Sequence, residues 1–164
     1  MACPDGQRRF LKHLALRIDS MSDMFLEKFR SLVPLYLEDD WQNEDGLTES
    51  ELAEATSALS VPVPLVLREF YMALGGCEDL MEAYHYFFDP DELEVEDGYL
   101  LFLEDEEEKY VWGFRTDQLD VPDPIVYRRQ NARGTWKSEE GTFSEYVLDM
   151  FTWIFEELSP ELND

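Results

Sequence analysis

Carboxylates are the most abundant side chains that could carry chemistry, with 38 Asp and Glu against 13 Lys and Arg. A pair of carboxylates can perform acid–base catalysis of the glycosidase type, but here they are so numerous that chance pairs are certain and none stands out. Asp89, Asp91 and Glu94 suggest a cation-binding loop, but they lack the spacing and central glycine of an EF-hand. The carboxylates therefore predict neither a catalytic pair nor a calcium site.

Histidine and cysteine are the candidates for nucleophilic catalysis. His85 lies eight residues after Cys77, and a Cys–His pair would activate the thiol. We interpret His85 instead as a packed histidine of an aromatic strand, and His13 as an exposed residue of a helix. The two cysteines and two histidines of the chain match no zinc-ligand spacing. The sequence therefore predicts no catalytic residue, no cofactor and no metal.

The net charge of -25 is unevenly distributed along the chain. Residues 1–36 carry +2, residues 37–110 carry -21 and residues 111–164 carry -6. Such a field repels nucleic acid and anionic membranes, attracts basic proteins and speeds their encounter. We therefore expect a basic protein partner, with no nucleic-acid or membrane binding. The alternative is that the charge serves solubility alone.

Length and composition predict a folded, single-domain protein. A chain of 164 residues can bury a substantial core, and its 14% aromatic content supplies the apolar side chains that a disordered acidic segment lacks. No stretch approaches the roughly 18 consecutive apolar residues that a membrane span needs. With no signal-peptide pattern and only two cysteines, we expect a cytoplasmic protein in a reducing compartment.

The first segment has the pattern of an amphipathic helix. Apolar residues recur every three or four positions from Phe10 to Leu32, which places them along one helical face. Pro34 is expected to end this helix, because proline disfavours helical geometry at the residue before it. We therefore divide the chain into a helical extension at residues 1–37 and an α+β domain at 38–164, which together form one compact unit.

Two more helices are predicted in the acidic middle of the chain. Thr48 and Glu51 form a capping box, which begins a short helix that runs to Leu59. Pro64 suits the first turn of the next helix. The glycine pair at 75–76 is expected to end that helix in the left-handed conformation.

Strands follow, and one further helix closes the chain. Residues 104–108 form an acidic run between two β-prone segments, as a hairpin connection would. Thr142 and Glu145 form a second capping box, and a broad apolar face follows it. The predicted strands are residues 84–88, 99–103, 110–114 and 125–128, with one more beside Trp136. This order predicts an α+β fold: a single antiparallel sheet with N-terminal helices and a C-terminal amphipathic helix packed against it.

The order of these motifs resembles the SUKH superfamily, which includes fungal cell-wall assembly regulators and bacterial immunity proteins. The resemblance covers residues 38–157, and the chain departs from the pattern in its short loop after Gly76. It implies a binding scaffold without catalytic residues, and in bacteria an immunity protein that neutralises a toxin, often a nuclease. The segments that carry it are residues 47–52, 63–71, 75–76, 89–93, 112–113, 124–127 and 142–147.

The charge and the resemblance together predict a non-catalytic immunity protein that neutralises a basic toxin through an acidic surface. The alternatives are a regulatory or scaffold protein with a host partner and, more remotely, a small enzyme. Aromatic residues are favoured as anchors at interfaces, so three are included among the contacts. The predicted partner-binding residues are Glu104, Asp105, Glu106, Glu107, Glu108, Asp89, Asp91, Glu92, Glu94, Glu96, Asp97, Tyr99, Trp112 and Trp136.

Overall fold

In a computed structural model, which describes residues 24–131 and 134–158, the chain forms a six-stranded antiparallel sheet with helices packed against it. This arrangement confirms the predicted α+β class. The two short strands β1 and β2 pair with different parts of one edge of β3, and β4, β5 and β6 follow in order from its other edge. The strands are β1 (Tyr86–Phe87), β2 (Glu94–Glu96), β3 (Tyr99–Glu104), β4 (Tyr110–Arg115), β5 (Ile125–Gln130) and β6 (Lys137–Thr142).

Most helices precede the sheet in the chain, and one follows it. Short 3-10 turns cover Asn43–Asp45, Pro90–Glu92 and Thr116–Gln118, and a π-helical segment, Trp153–Leu158, continues the last helix. Within the described residues, every helix is too short or too polar to cross a lipid bilayer. The helices are α1 (Leu26–Arg30), α2 (Leu32–Tyr36), α3 (Glu49–Ala55), α4 (Leu65–Leu74), α5 (Glu78–Met81) and α6 (Phe143–Thr152).

Both predicted capping boxes are confirmed, and each begins a helix where the sequence places it. The Thr48 N–H donates to Glu51 Oε1 at 2.9 Å, and the Glu51 N–H donates back to Thr48 Oγ1 at 3.0 Å. At the start of α6 the Thr142 N–H donates to Glu145 Oε1 at 2.9 Å. These contacts satisfy amide groups that have no partner inside a helix.

The core lies between the sheet and the helices and is built around Phe143. The Phe143 ring centroid lies 5.1 Å from that of Phe102 on β3 and 5.6 Å from that of Phe114 on β4. On the helical side it lies 5.4 Å from Phe70 on α4 and 6.3 Å from Phe29 on α1. All five rings have no exposed surface. The described part of the predicted helical extension, from residue 24 onwards, therefore contributes to the same core as the strands.

The expected effect of Pro34 is wrong. The regular helix is interrupted at Ser31, between α1 and α2, and α2 then continues through Pro34 to Tyr36. Pro34 is the third residue of α2, where an amide would have no partner within the helix, so the missing N–H costs nothing there. The part of the predicted helix before residue 24 lies outside the described residues.

The glycine pair does not end α4 in the left-handed conformation, as the sequence predicted. Gly75 has φ -60° and ψ -20°, which is ordinary right-handed geometry. Close packing is the physical reason for glycine here, because a Cβ on Gly76 would lie 2.3 Å from the Glu44 carbonyl oxygen. The structure also shortens two predicted elements, because α3 ends before Leu59 and the strand expected at 84–88 is limited to β1.

The sequence analysis missed β2, which forms a tight hairpin with β3. Glu96 pairs with Tyr99, so a two-residue loop of Asp97 and Gly98 joins the strands. Asp97 has φ 56° and Gly98 has φ 82°. Two consecutive positive φ angles match the twist of a β-hairpin, and Asp–Gly is a favoured pair for this turn.

Candidate functional site

The structure distributes the predicted partner-binding residues over three places and the core, and does not bring them together as one surface. The acidic run at 104–108 forms the connection between β3 and β4, as predicted. Asp89, Asp91 and Glu92 lie in the turn that follows β1. Glu94, Glu96, Asp97, Tyr99 and Trp136 lie at the other end of the sheet or along its edge.

One carboxylate of the acidic run is already hydrogen-bonded to backbone amides of the same turn. Asp105 is 9% exposed, and its Oδ2 accepts hydrogen bonds from the amides of Glu107 at 3.1 Å and Lys109 at 3.3 Å. Glu107 also pairs with the Lys109 ammonium at 2.8 Å. Glu108, at φ 59°, occupies the left-handed position of the turn. Asp105 therefore shapes the hairpin and offers little surface to a partner.

Several residues that were predicted to bind a partner instead contact Arg129 within the protein itself. They lie on the face of the sheet that points away from the core. The Arg129 guanidinium bonds the carboxylates of Asp97, at 2.8 Å, and Glu96. It also lies 5.0 Å from the centroid of the Trp136 ring, which stacks on Tyr99 at 4.0 Å. The side chain of Arg129 is only 11% exposed. We call these five residues the Arg129 cluster, and in it the acids and aromatic rings already have partners.

Trp112 is part of the core rather than the surface. It is 3% exposed, and its Nε1–H donates to Glu139 Oε2 at 2.7 Å. The large aromatic side chains that remain exposed include Tyr86 at 46% and Trp153 at 40%. Exposure was not readable from the sequence, because Trp112 and Tyr86 both stand in apolar, aromatic segments.

A depression of about 510 Å³ lies beside Tyr86 and contains several carboxylates from separate segments. Glu78 is the first residue of α5 and Glu82 directly follows this helix. Asp89 and Glu92 lie in the turn after β1. The ring of Tyr86 and the glycines after α4 complete the lining. We call this the Tyr86 depression.

A second depression, of about 550 Å³, adjoins the first, because Glu78 lines both. The loop at residues 39–45 forms one wall of this depression. Trp41 anchors that loop, because its Nε1–H donates to the Ala73 carbonyl at 2.7 Å. The Gly76 amide also donates to the Asp45 carbonyl at 3.0 Å. Together the two depressions form a surface that we call the acidic band, with the carboxylates of Asp39, Asp40, Glu44, Asp45, Glu78, Asp79, Glu82, Asp89 and Glu92.

The acidic band has an unbalanced charge. Within residues 24–131 and 134–158, no Lys or Arg lies within 4.0 Å of any of its nine carboxylates. Burial raises the pKa of Asp89, and the charges of Glu92, Asp91 and Glu82 raise it further. A carboxylate whose ionised form is disfavoured by its neighbours gains from any cation that approaches it.

The sequence analysis included Asp89 and Glu92 but missed the other members of the acidic band. The net charge of residues 37–110 identified the segment, but the chain separates the loop at 39–45, α5 and the turn at 89–92. The tight packing at the glycine pair brings the first two together. That glycine pair was the available signal, and it was interpreted as a helix end.

Cys77 and His85, the remaining candidates for catalysis, occupy different environments. Cys77 is 5% exposed at the start of α5, and burial raises the pKa of its thiol, which makes it a poor nucleophile. His85 Nδ1 lies 3.5 Å from Asp105 Oδ1 and 3.7 Å from Glu106 Oε2. We call these three residues the His85 cluster. The other histidine, His13, lies outside the described residues.

Comparison of the chain with protein-family models, with curated proteins and with solved structures finds no match. Inferences about function therefore rest on the sequence pattern and on the geometry of the acidic band and of the His85 cluster.

Proposed function

We propose that the protein is a non-catalytic immunity protein, which neutralises a toxin by binding a basic surface of it through the acidic band. The observation that carries the proposal is the group of nine carboxylates, which have no Lys or Arg partner within the described residues. Folding places these like charges side by side at an energetic cost. A basic partner would offset that cost on binding.

The Tyr86 depression fits the side chain of a partner's lysine or arginine. The exposed ring of Tyr86 offers a face for a cation–π contact, and Glu82 and Asp89 line the same depression. Tyr86 also pairs with Glu104 across the sheet, so the depression continues towards the acidic run at 104–108. The exposed acids of that run, such as Glu107 and Glu108, then form the rim of the proposed surface.

The resemblance to the SUKH superfamily supports the class of function and suggests a nuclease as the toxin. A nuclease that binds a polyanion carries a basic cleft, because it must neutralise phosphates. The acidic band could occupy such a cleft in place of nucleic acid.

The first test is protection from a toxin encoded next to the gene of this chain. Cells that express the neighbouring toxin domain should survive when this chain is co-expressed and die without it. If no toxin gene is present and a host protein binds the acidic band instead, the regulatory alternative is favoured. A neighbouring toxin that this chain neither binds nor neutralises would reject the proposal.

The second test measures whether the acidic band makes the contact. We expect the double variant Glu78→Lys/Glu82→Lys to associate with that toxin domain at least about tenfold more slowly at low salt, and with a weaker salt dependence. The control Asp120→Lys/Asp149→Lys makes the same change in net charge at sites outside the band. Stopped-flow association at several salt concentrations provides the comparison, and equal rates for both variants would exclude the acidic band as the contact.

A further inference from the structure

We propose that the His85 cluster binds a divalent transition-metal ion of the zinc type, with His85 Nδ1 and carboxylate oxygens of Asp105 and Glu106 as ligands. The three ligand atoms all lie within 4.8 Å of one another. This site contains none of the nine carboxylates of the acidic band, although Asp105 and Glu106 belong to the acidic run at its rim, and metal binding can be tested without a toxin.

The two distances from His85 Nδ1 suit a tetrahedral ion. Zinc binds nitrogen and oxygen at about 2.0–2.1 Å, so two ligands of a tetrahedral site lie roughly 3.4 Å apart. His85 Nδ1 lies 3.5 Å from Asp105 Oδ1 and 3.7 Å from Glu106 Oε2. The oxygens of Asp105 and Glu106 lie within 4.8 Å of each other and would have to approach to roughly 3.4 Å, and a fourth position would stay open to water or another ligand.

Strand pairing and turn geometry position two of the three ligands, His85 and Asp105, before an ion binds. Tyr86 pairs with Glu104, which places His85 opposite Asp105. Asp105 Oδ2 accepts the two backbone amides of the hairpin turn, and its Oδ1 faces His85. Hydrogen bonds of this kind, to the oxygen that does not bind the metal, orient a carboxylate ligand.

The lack of a hydrogen-bond partner for His85 Nδ1 in the described part of the chain also points to a bound ligand. This nitrogen is inaccessible to solvent and has no hydrogen-bond partner among the described residues. The imidazole ring is fixed by Trp112, at 4.8 Å between centroids, and by Tyr84, at 4.7 Å. A buried polar atom without a partner is costly, and coordination of a metal would satisfy it.

The ligand set selects the class of ion. Imidazole suits zinc and its transition-metal neighbours, whereas magnesium and calcium prefer oxygen ligands alone. An acidic protein attracts all divalent cations to its surface, so a specific site must retain zinc in the presence of excess magnesium.

Calorimetric titration of the full chain with Zn²⁺ in excess Mg²⁺ tests the site. We expect one equivalent of Zn²⁺ to bind, and Glu106→Gln to weaken that binding at least about tenfold, as the loss of a ligand should. The matched control is Glu107→Gln, which makes the same change one residue along the chain, at a side chain 61% exposed. Equal affinity of the two variants, or loss of binding in excess Mg²⁺, would overturn the proposal.

A spectroscopic readout identifies the nitrogen ligand directly. The chain contains two histidines, so imidazole nitrogen resonances can be assigned with a His13→Ala variant. Zn²⁺ should shift the Nδ1 resonance of His85 and leave that of His13 unchanged. The variant His85→Asn should lose tight Zn²⁺ binding, and its circular dichroism in EDTA verifies that it folds. If His85 resonances do not respond to Zn²⁺ while one equivalent binds, the ion occupies a different site and the proposal fails.

Discussion

The Arg129 cluster and the acidic band are both rich in carboxylates, but they differ in how their charge is balanced. In the Arg129 cluster a nearly buried guanidinium joins Glu96 and Asp97, and an aromatic ring covers it. Within the described residues, the acidic band holds nine carboxylates with no Lys or Arg in ion-pair contact. The comparison indicates that the first group stabilises the fold, whereas the second places like charges together at a cost in stability.

The largest expected effect comes from removing the cation of the Arg129 cluster. Arg129→Met keeps the apolar stem but leaves Glu96 and Asp97 without their partner. We expect the free energy of unfolding to fall by about 2 kcal/mol, because the substitution removes a largely buried guanidinium together with its two charge-assisted hydrogen bonds and its contact with the Trp136 ring. A lower midpoint of urea denaturation with an unchanged slope would measure the loss.

The control for this prediction is Arg115→Met. The Arg115 side chain is 45% exposed and pairs with Asp117, which is 62% exposed. An exposed pair of this kind contributes little, so the urea midpoint should not move measurably. If both variants lose the same stability, Arg129 does not have the special role that its burial suggests.

The second prediction concerns the sign of a carboxylate's contribution in each region. Glu96→Gln should lower the free energy of unfolding by about 1 kcal/mol, because it removes a charged acceptor from Arg129. Glu82→Gln should raise it by up to about 0.5 kcal/mol, because it removes a like charge from the acidic band. Both substitutions keep the side-chain volume, and urea denaturation compares them directly. Effects of the same sign would remove the distinction between the two regions.

Elements that depend on neighbouring residues were predictable from the sequence. The capping boxes at Thr48 and Thr142 each need a second residue only three positions away, and both helices begin where predicted. The strands β3 and β4 and their acidic connection were also predicted. The turn at Asp97 and Gly98 is equally local, and its signal was present in the sequence but was not used.

The candidate site was less predictable because it depends on contacts between distant segments. The acidic band needs the loop at 39–45 to pack against the glycine pair, and α5 to lie beside the turn after β1. The Arg129 cluster joins residues more than 30 positions apart, so Tyr99 and Trp136 could not be recognised as partners of each other. Exposure follows from such contacts, and the sequence pattern alone does not distinguish buried Trp112 from exposed Tyr86.

The third prediction uses the pH dependence of stability. Burial and neighbouring acids raise the pKa of Asp89 in the folded protein above its unfolded value. The folded state therefore binds this proton more tightly, and stability should increase as the pH falls from about 7 towards about 5. Asp89→Asn keeps a side chain that can begin a helical turn but cannot titrate. Thermal midpoints at several pH values should show a smaller gain for the variant than for the native chain, and an equal gain would contradict the prediction.

The smallest expected effect is the response of stability to salt. Sodium chloride at 0.1 M screens exposed charges beyond about 10 Å, so it should relieve repulsion across the acidic band and raise the thermal midpoint. Glu78→Gln/Glu82→Gln should reduce this rise, because fewer like charges remain to be screened. The control Asp120→Asn/Asp149→Asn removes the same charge elsewhere and should respond like the native chain. The ion pairs of Arg129 should add little to the salt dependence, because its side chain is only 11% exposed and is therefore weakly screened. If both double variants respond equally, the salt effect reports total charge, and the repulsion is not concentrated in the acidic band.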